Sequence, residues 1–160
     1  MELNDNSDYQ QCFVCGQRNP YGLQMLFRQE GETVVSDFRP KAEHQGFPGV
    51  IHGGIIASVL DEALNRTCAL GKNPAWSMTG KLEVRYRQYV PYGPLLRVRA
   101  KLETERGRLI QATGVITLAD DETKILAEGQ GSFMVLSPQM SEVVMRDYPE
   151  MRDFFSNQEP

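Results

Sequence analysis

The chain of 160 residues is poor in several things, and each shortage excludes a class of protein. Its three cysteines, Cys12, Cys15 and Cys68, are an odd number that cannot all pair within one chain, which argues against a disulfide scaffold and for reduced thiols. No apolar run approaches the ~18 residues of a membrane-spanning helix. The opening MELNDNSDYQQ has neither the basic start nor the apolar stretch of a secretory signal, so a cytoplasmic location and no membrane partner are expected. Excess positive charge is also missing: 17 Lys and Arg stand against 21 Asp and Glu, a net charge of -4, and nothing draws the whole chain to nucleic acid. What remains, 41% hydrophobic and 24% charged residues, is the composition of one ordinary globular domain with a real core.

Residues 1–11 are expected to fray, and QQCFVCGQRNPYGL is dense in turn formers, so residues 1–22 read as an N-terminal segment built on an ordered loop. LQMLFRQ and TVVSDFRP then read as two short strands turning at Glu30-Gly31, with Pro40 ending the second. Residues 41–52 form an irregular approach. From Gly53 to Ala69 the period changes: Ile55, Ile56, Val59, Leu60, Ala63 and Leu64 recur every three or four residues, which predicts one long, largely buried helix, stopped by Gly71, Asn73 and Pro74. Period two returns from Trp76 to Leu136, where Leu82, Val84 and Tyr86, and later Leu96, Val98, Ala100 and Leu102, alternate with charged residues. Four antiparallel strands in a meander are predicted, wrapped around the single helix in an α+β layer arrangement over residues 23–136. The tail, 137–160, reads as a short helix or surface strap.

On the helix, at ~100° per residue, Gly54, Ser58, Asp61, Asn65 and Cys68 share a narrow polar band beside the apolar arc. Asp61 lies two turns in, too far from the N-terminus for the helix dipole to explain a carboxylate, so it is a solvated surface residue, the partner of a nearby arginine, or a functional acid. His52-Gly53-Gly54 opens the helix, where free N–H groups can hold a carbonyl or oxyanion, although glycine is also an ordinary turn residue there. His52 is read as a helix cap or loop holder rather than a base, and Glu62, turned ~100° from Asp61, as a salt-bridge or surface residue. Cys12-x-x-Cys15 leaves three readings open: packing thiols, a metal site completed by a histidine or another subunit, or a redox pair.

HGGIIASVLDEAL followed by SMTGKLEVRYRQYVPYG resembles the hot-dog-fold acyl-CoA thioesterases, in particular the phenylacetic-acid-degradation and thioesterase-superfamily-member-4-like group, over roughly residues 20–136. The resemblance implies a hot-dog fold, a curved antiparallel sheet wrapped around one long central helix, whose subunits join their sheets in a homodimer, with pairing into a homotetramer left open. It implies hydrolysis of acyl-CoA thioesters in a site between subunits. Asp61 takes the position of the catalytic acid, as base toward water or as nucleophile, and the Gly53 N–H polarises the carbonyl. Thr79, supplied by the partner, positions the water. His52, Gly54, Gln45, Asn65, Phe47 and Met78 are the candidate substrate contacts, and Phe47, Met78 and Trp76 either line an acyl pocket or belong to the core. The family's Asn or Gln before the HGG falls on Gly46, so Gln45 or His44 would have to replace it. No metal and no cofactor are implied. Arg85, Arg87, Arg97, Arg99, Arg106 and Arg108 offer either a clamp for CoA phosphates or an ordinary wet sheet face.

Two other readings stand beside the enzyme. A non-catalytic acyl-CoA-binding or regulatory hot-dog domain is favoured by Gly46 and disfavoured by Asp61 and Thr79. A hot-dog dehydratase would need a histidine-and-acid hydratase motif that the HGG-to-Asp spacing does not match.

Overall fold

Alternating apolar and charged residues build the long strands, and the apolar positions decide which face the helix covers. The computed structural model describes residues 11–70 and 76–149. A six-stranded antiparallel sheet runs β1 (Arg28–Glu30), β2 (Thr33–Phe38), β6 (Leu96–Arg106), β7 (Leu109–Leu118), β8 (Ile125–Val135) and β5 (Ser77–Tyr86) in spatial order. Between β2 and the central helix, β3 (Gln45–Phe47) and β4 (Val50–Ile51) form a small hairpin turning at Gly49, whose φ of 82° suits glycine. The helix α1 spans Gly53–Arg66 and a 3-10 turn over Thr67–Leu70 extends it. The exposed helix α2, Pro138–Asp147, follows Ser137, whose hydroxyl accepts from the Met140 N–H at 3.2 Å.

α1 lies across the concave face and packs on β2, β5, β6, β7 and β8. Its buried row, Ile56, Val59, Leu60, Ala63 and Leu64, meets the inward residues of the sheet, among them Val98, Ala100, Ile110, Ile116 and Phe133. Burying each large apolar side chain contributes ~1.5–3 kcal/mol, so this single interface dominates the core. The helix comes so close that the sheet needs glycine beneath it: a Cβ on Gly129 would sit 3.3 Å from the Leu60 side chain, and one on Gly114 3.2 Å from Leu64 Cδ2. Arg97, Arg99 and Lys101 point to the other face of β6, as the alternation predicts.

Two expectations change. The four later strands are not one meander: β6, β7 and β8 are, but β5 crosses over to pair with β8 and becomes the edge of the sheet. At that edge only Ser77, Leu82 and Val84 are even half-buried. The first predicted strand also shrinks, because Leu23–Phe27 is not strand and pairing starts at Arg28. The expected helix stop at Gly71, Asn73 and Pro74, the fraying of residues 1–10 and the tail beyond 149 lie outside the described residues.

Candidate active site

The N-terminus of α1 is fixed by its own sequence. His52, extended at φ −60° and ψ 134°, is the cap: its Nδ1 accepts the Gly54 N–H at 2.9 Å, which puts the ring proton on Nε2, and its carbonyl accepts from Ile55 and Ile56. Among the described residues, no hydrogen bond engages the Gly53 N–H, the remaining donor of the first turn. Tyr86, at the end of β5, donates its hydroxyl to Gly53 O at 2.8 Å and so ties the helix start to the sheet edge. Beside it opens a cavity of about 440 Å³, lined among others by Gly53, Ile56, Tyr86 and Val90.

Two turns further along α1, Asp61 Oδ1 accepts the Thr79 hydroxyl at 2.9 Å. Thr79 can reach it because β5 bulges between Thr79 and Lys81. Burial raises the Asp61 pKa, the neighbouring Glu62 charge adds to that, and the Thr79 hydrogen bond opposes it. A half-buried carboxylate with a raised pKa and one hydroxyl partner is suited to accept a proton. Gly53 and Asp61 are eight residues apart, about 12 Å along the helix axis at 1.5 Å per residue. A single carbonyl cannot touch both groups of one chain.

No family model matches the chain. Residues of this chain are 30% identical over 115 positions to acyl-coenzyme A thioesterase THEM4 of Mus musculus, covering 72% of this chain and 48% of that protein. The chain spans about half the length of the curated relatives it matches. Among solved structures, the thioesterase superfamily protein RHA08564 superposes with a TM-score of 0.71 and 28% identity, covering 78% of this chain and 60% of that one. The chain has the hot-dog fold of these thioesterase superfamily proteins. The same fold, at 22% identity and a TM-score of 0.62, is that of BH2602 from Bacillus halodurans, solved with CoA; the match covers 72% of this chain and 76% of that one.

Within this hot-dog chain, the expected site residues fall into groups. Asp61 and Thr79 meet directly within one chain: β5 runs beside its own α1 and delivers Thr79 to its own Asp61. Gly54 differs from expectation because its N–H is already taken by His52. Asn65 differs as well: its carboxamide is consumed by Ser77, accepting from Ser77 Oγ at 2.7 Å and donating to Ser77 O at 3.3 Å, which pins α1 to β5. Gln45 turns back so that its Oε1 accepts the Gly49 N–H at 3.3 Å, and His44 is buried with Nδ1 accepting from the Lys41 N–H. Gly46 itself leaves no room for one, because a Cβ there would lie 2.8 Å from His52 Cδ2 and 3.0 Å from His52 Cα. Met78 lies between two residues that face α1 and points to the opposite side of β5, and Phe47 stands out from the β3–β4 hairpin. Tyr86 is the residue that sequence reasoning passed over; its alternation with Leu82 and Val84 marked it as inward-facing, but not its bond to Gly53.

The charged surface of the hot-dog sheet is mostly self-paired. Arg97 holds Asp37 through two hydrogen bonds and Glu122 through a third, Arg99 holds Glu30 and Glu122, and Arg85 and Arg87 share Glu128. These pairs are the ordinary sheet-face chemistry rather than an open clamp. Glu62 forms an ion pair with Arg66 at 2.8 Å, as expected for a salt-bridge residue. Beside it sit Cys12 and Cys15. The Cys12 pKa is lowered to about 6, first by the Cys15 thiol and, against the cost of burial, by the N–H groups of Cys15 and Val14, while that of Cys15 is pushed up by the same bond and by burial.

Proposed function

We propose that this chain hydrolyses acyl-CoA thioesters to the free acid and CoA, in two equivalent sites, each shared between two copies of the chain. The Gly53 N–H of one copy polarises the thioester carbonyl and stabilises the oxyanion that forms on attack. Asp61 of the other copy, ionised, takes a proton from the attacking water, which the Thr79 oxygen helps to orient. The proton leaves with the CoA thiolate as the tetrahedral intermediate collapses.

The observation that carries this reading is the Thr79–Asp61 pair, a carboxylate oriented by one hydroxyl on the wetter flank of an otherwise apolar helix. The unengaged Gly53 N–H supplies the second element, and the 12 Å scale between them, at ~1.5 Å per residue, is why two copies are needed. The edge strand β5 supplies the means of joining, since among the described residues one side of its backbone has no strand beside it. Met78, 62% exposed, and Tyr86, 51% exposed, lie on that strand. The names of the mouse relative and of the CoA-bound Bacillus halodurans protein point to the same substrate class.

Release of free thiol, followed across acetyl, medium-chain, long-chain and aromatic CoA thioesters, tests the proposal. Asp61→Asn should lower kcat by ~10²–10⁴ while KM changes little, because a general base acts in the transition state. Gly46 favours a second reading, a domain that binds acyl-CoA without cleaving it. Silence of the unaltered protein on every thioester, with CoA binding retained, selects that reading and overturns the first.

A further inference from the structure

The CFVCG turn is a built part of the molecule that the proposed hydrolysis does not use. Gly16 N–H donates to Cys12 O at 3.0 Å, Leu23 N–H to Phe13 O at 2.8 Å and Met25 N–H to Val14 O at 2.8 Å, so the turn is held from both sides. Gly22 must be glycine for this, since a Cβ would lie 2.5 Å from Phe13 O. Val14 and Met25 are buried in the main core, which anchors the segment. The two sulfurs are therefore carried on a fixed frame, and α1 presents Glu62 to them from 50 residues away in sequence, with the Cys12 thiol donating to Glu62 Oε2 at 4.0 Å.

We propose that Cys12, Cys15 and Glu62 bind a zinc ion through two thiolate sulfurs and one carboxylate oxygen, with solvent in the fourth position. The three donor atoms all lie within 4.8 Å of one another, and no fourth His, Cys, Asp or Glu joins the group among the described residues. With Zn–S about 2.3 Å and Zn–O about 2.0 Å, tetrahedral donors stand about 3.5–3.8 Å apart, so a contraction of about 1.3 Å at most closes the cage, within reach of side-chain rotation. The other oxygen of Glu62 is held by Arg66 Nε at 2.8 Å, and Arg66 in turn lies over the Phe27 ring, 4.4 Å from its centre. Such outer partners orient metal ligands. The charges also balance: two thiolates and a carboxylate against a dication and the Arg66 guanidinium leave the half-buried cluster neutral.

The donor set selects the metal. Two thiolates favour a borderline-soft ion over calcium or magnesium, and a carboxylate with them disfavours copper(I). A metal uses all three groups, and the Glu62 oxygen that faces the sulfurs is not the one that Arg66 holds. The third ligand is then a glutamate of the same chain, not the histidine or second subunit that the bare CxxC called for. Glu62 is turned ~100° from Asp61 around α1, so the ion acts as a staple between the N-terminal segment and the helix, not as a participant in hydrolysis.

The test uses the full chain with its thiols reduced. Metal analysis after zinc loading and gel filtration should find one zinc per chain, and titration with Co²⁺ should give the intense near-ultraviolet thiolate-to-cobalt band together with the visible bands of tetrahedral cobalt. Zinc loading should release protons into weakly buffered solution as the thiols ionise. Cys12→Ser should lose the ion, Glu62→Gln should weaken zinc at least tenfold while keeping a thiolate band, and Cys68→Ser should change neither. The Co²⁺ spectrum of the unaltered protein decides the matter even if a variant fails to fold. Zinc below a tenth of an equivalent with no cobalt band, a Cys12–Cys15 disulfide that persists in reductant, or unchanged affinity in a folded Glu62→Gln variant would each overturn the proposal.

Discussion

Mixed dimers offer the sharpest test of a site shared between two chains. The perturbation is a pair of variants that each destroy one half of the site, Gly53→Pro and Asp61→Asn. Gly53 is the first helical residue of α1, where proline is well tolerated because that N–H has no intrahelical partner, and His52 before it already has the extended backbone that proline requires. The substitution thus removes the one donor and little else; its Cβ meets Tyr86 Oη at 3.3 Å, a contact that Gly53→Ala makes equally while keeping the N–H. Loss of one oxyanion donor costs ~10²–10³ in kcat, so either homodimer alone should retain about 1% of activity or less. In a mixed dimer, the Gly53 of the Asp61→Asn chain faces the intact Asp61 of the Gly53→Pro chain, and one site of the two is whole. Random pairing of equal amounts makes half of all dimers mixed, so thiol release should recover to about one quarter of the unaltered rate. If the mixture, after subunit exchange has been verified by mass spectrometry, gives no more than the sum of the two homodimers, the site lies within one chain and the 12 Å argument, built on ~1.5 Å per residue, fails.

Two further outcomes follow from the same geometry. The Asp61 pKa is raised in the folded chain, so its charge opposes folding: the penalty is absent below its ordinary carboxylate value, grows as pH rises toward the folded value and is complete above it. Asp61→Asn should therefore raise Tm at neutral pH and lose that advantage in acid, and kcat of the unaltered protein should rise with pH through a pKa above the usual aspartate range; an unchanged or lower Tm at neutral pH refutes the burial argument. Gly46→Asn, which restores the side chain that the resemblance places before the HGG, should not increase turnover and should cost ~1–3 kcal/mol in urea unfolding, because its Cβ would crowd His52 and disturb the cap on α1. A faster, equally stable variant would show that the loop has room.

The fold class and the polar flank of α1 that carries Asp61 were legible in the sequence because they depend on local repeats. Period 3.6 in GGIIASVLDEAL sets the apolar arc of α1 and leaves Asp61 beside it; period two in LRVRAKLETER sets which face of β6 is buried. His52 as cap and Glu62 as an ion-pair residue follow from residue type and spacing alone. The rest depends on contacts between segments far apart. Sequence alternation describes a strand but not its neighbour, so only the fold puts β5 on the edge against β8. The same crossing delivers Thr79 to Asp61 of its own chain and Ser77 to Asn65, and it takes the carboxamide of Asn65 out of the site. Gly46 looked like a missing amide and proved to be a close contact with His52, and the solitary CxxC gained a carboxylate neighbour, Glu62 of α1. The sequence by itself determined the elements and their buried faces, since these are set by nearest neighbours along the chain. Tertiary structure decided which polar groups meet, because a hydrogen bond or a ligand cage depends on ångström distances that residues 18 or 50 apart acquire only when the sheet closes around the helix.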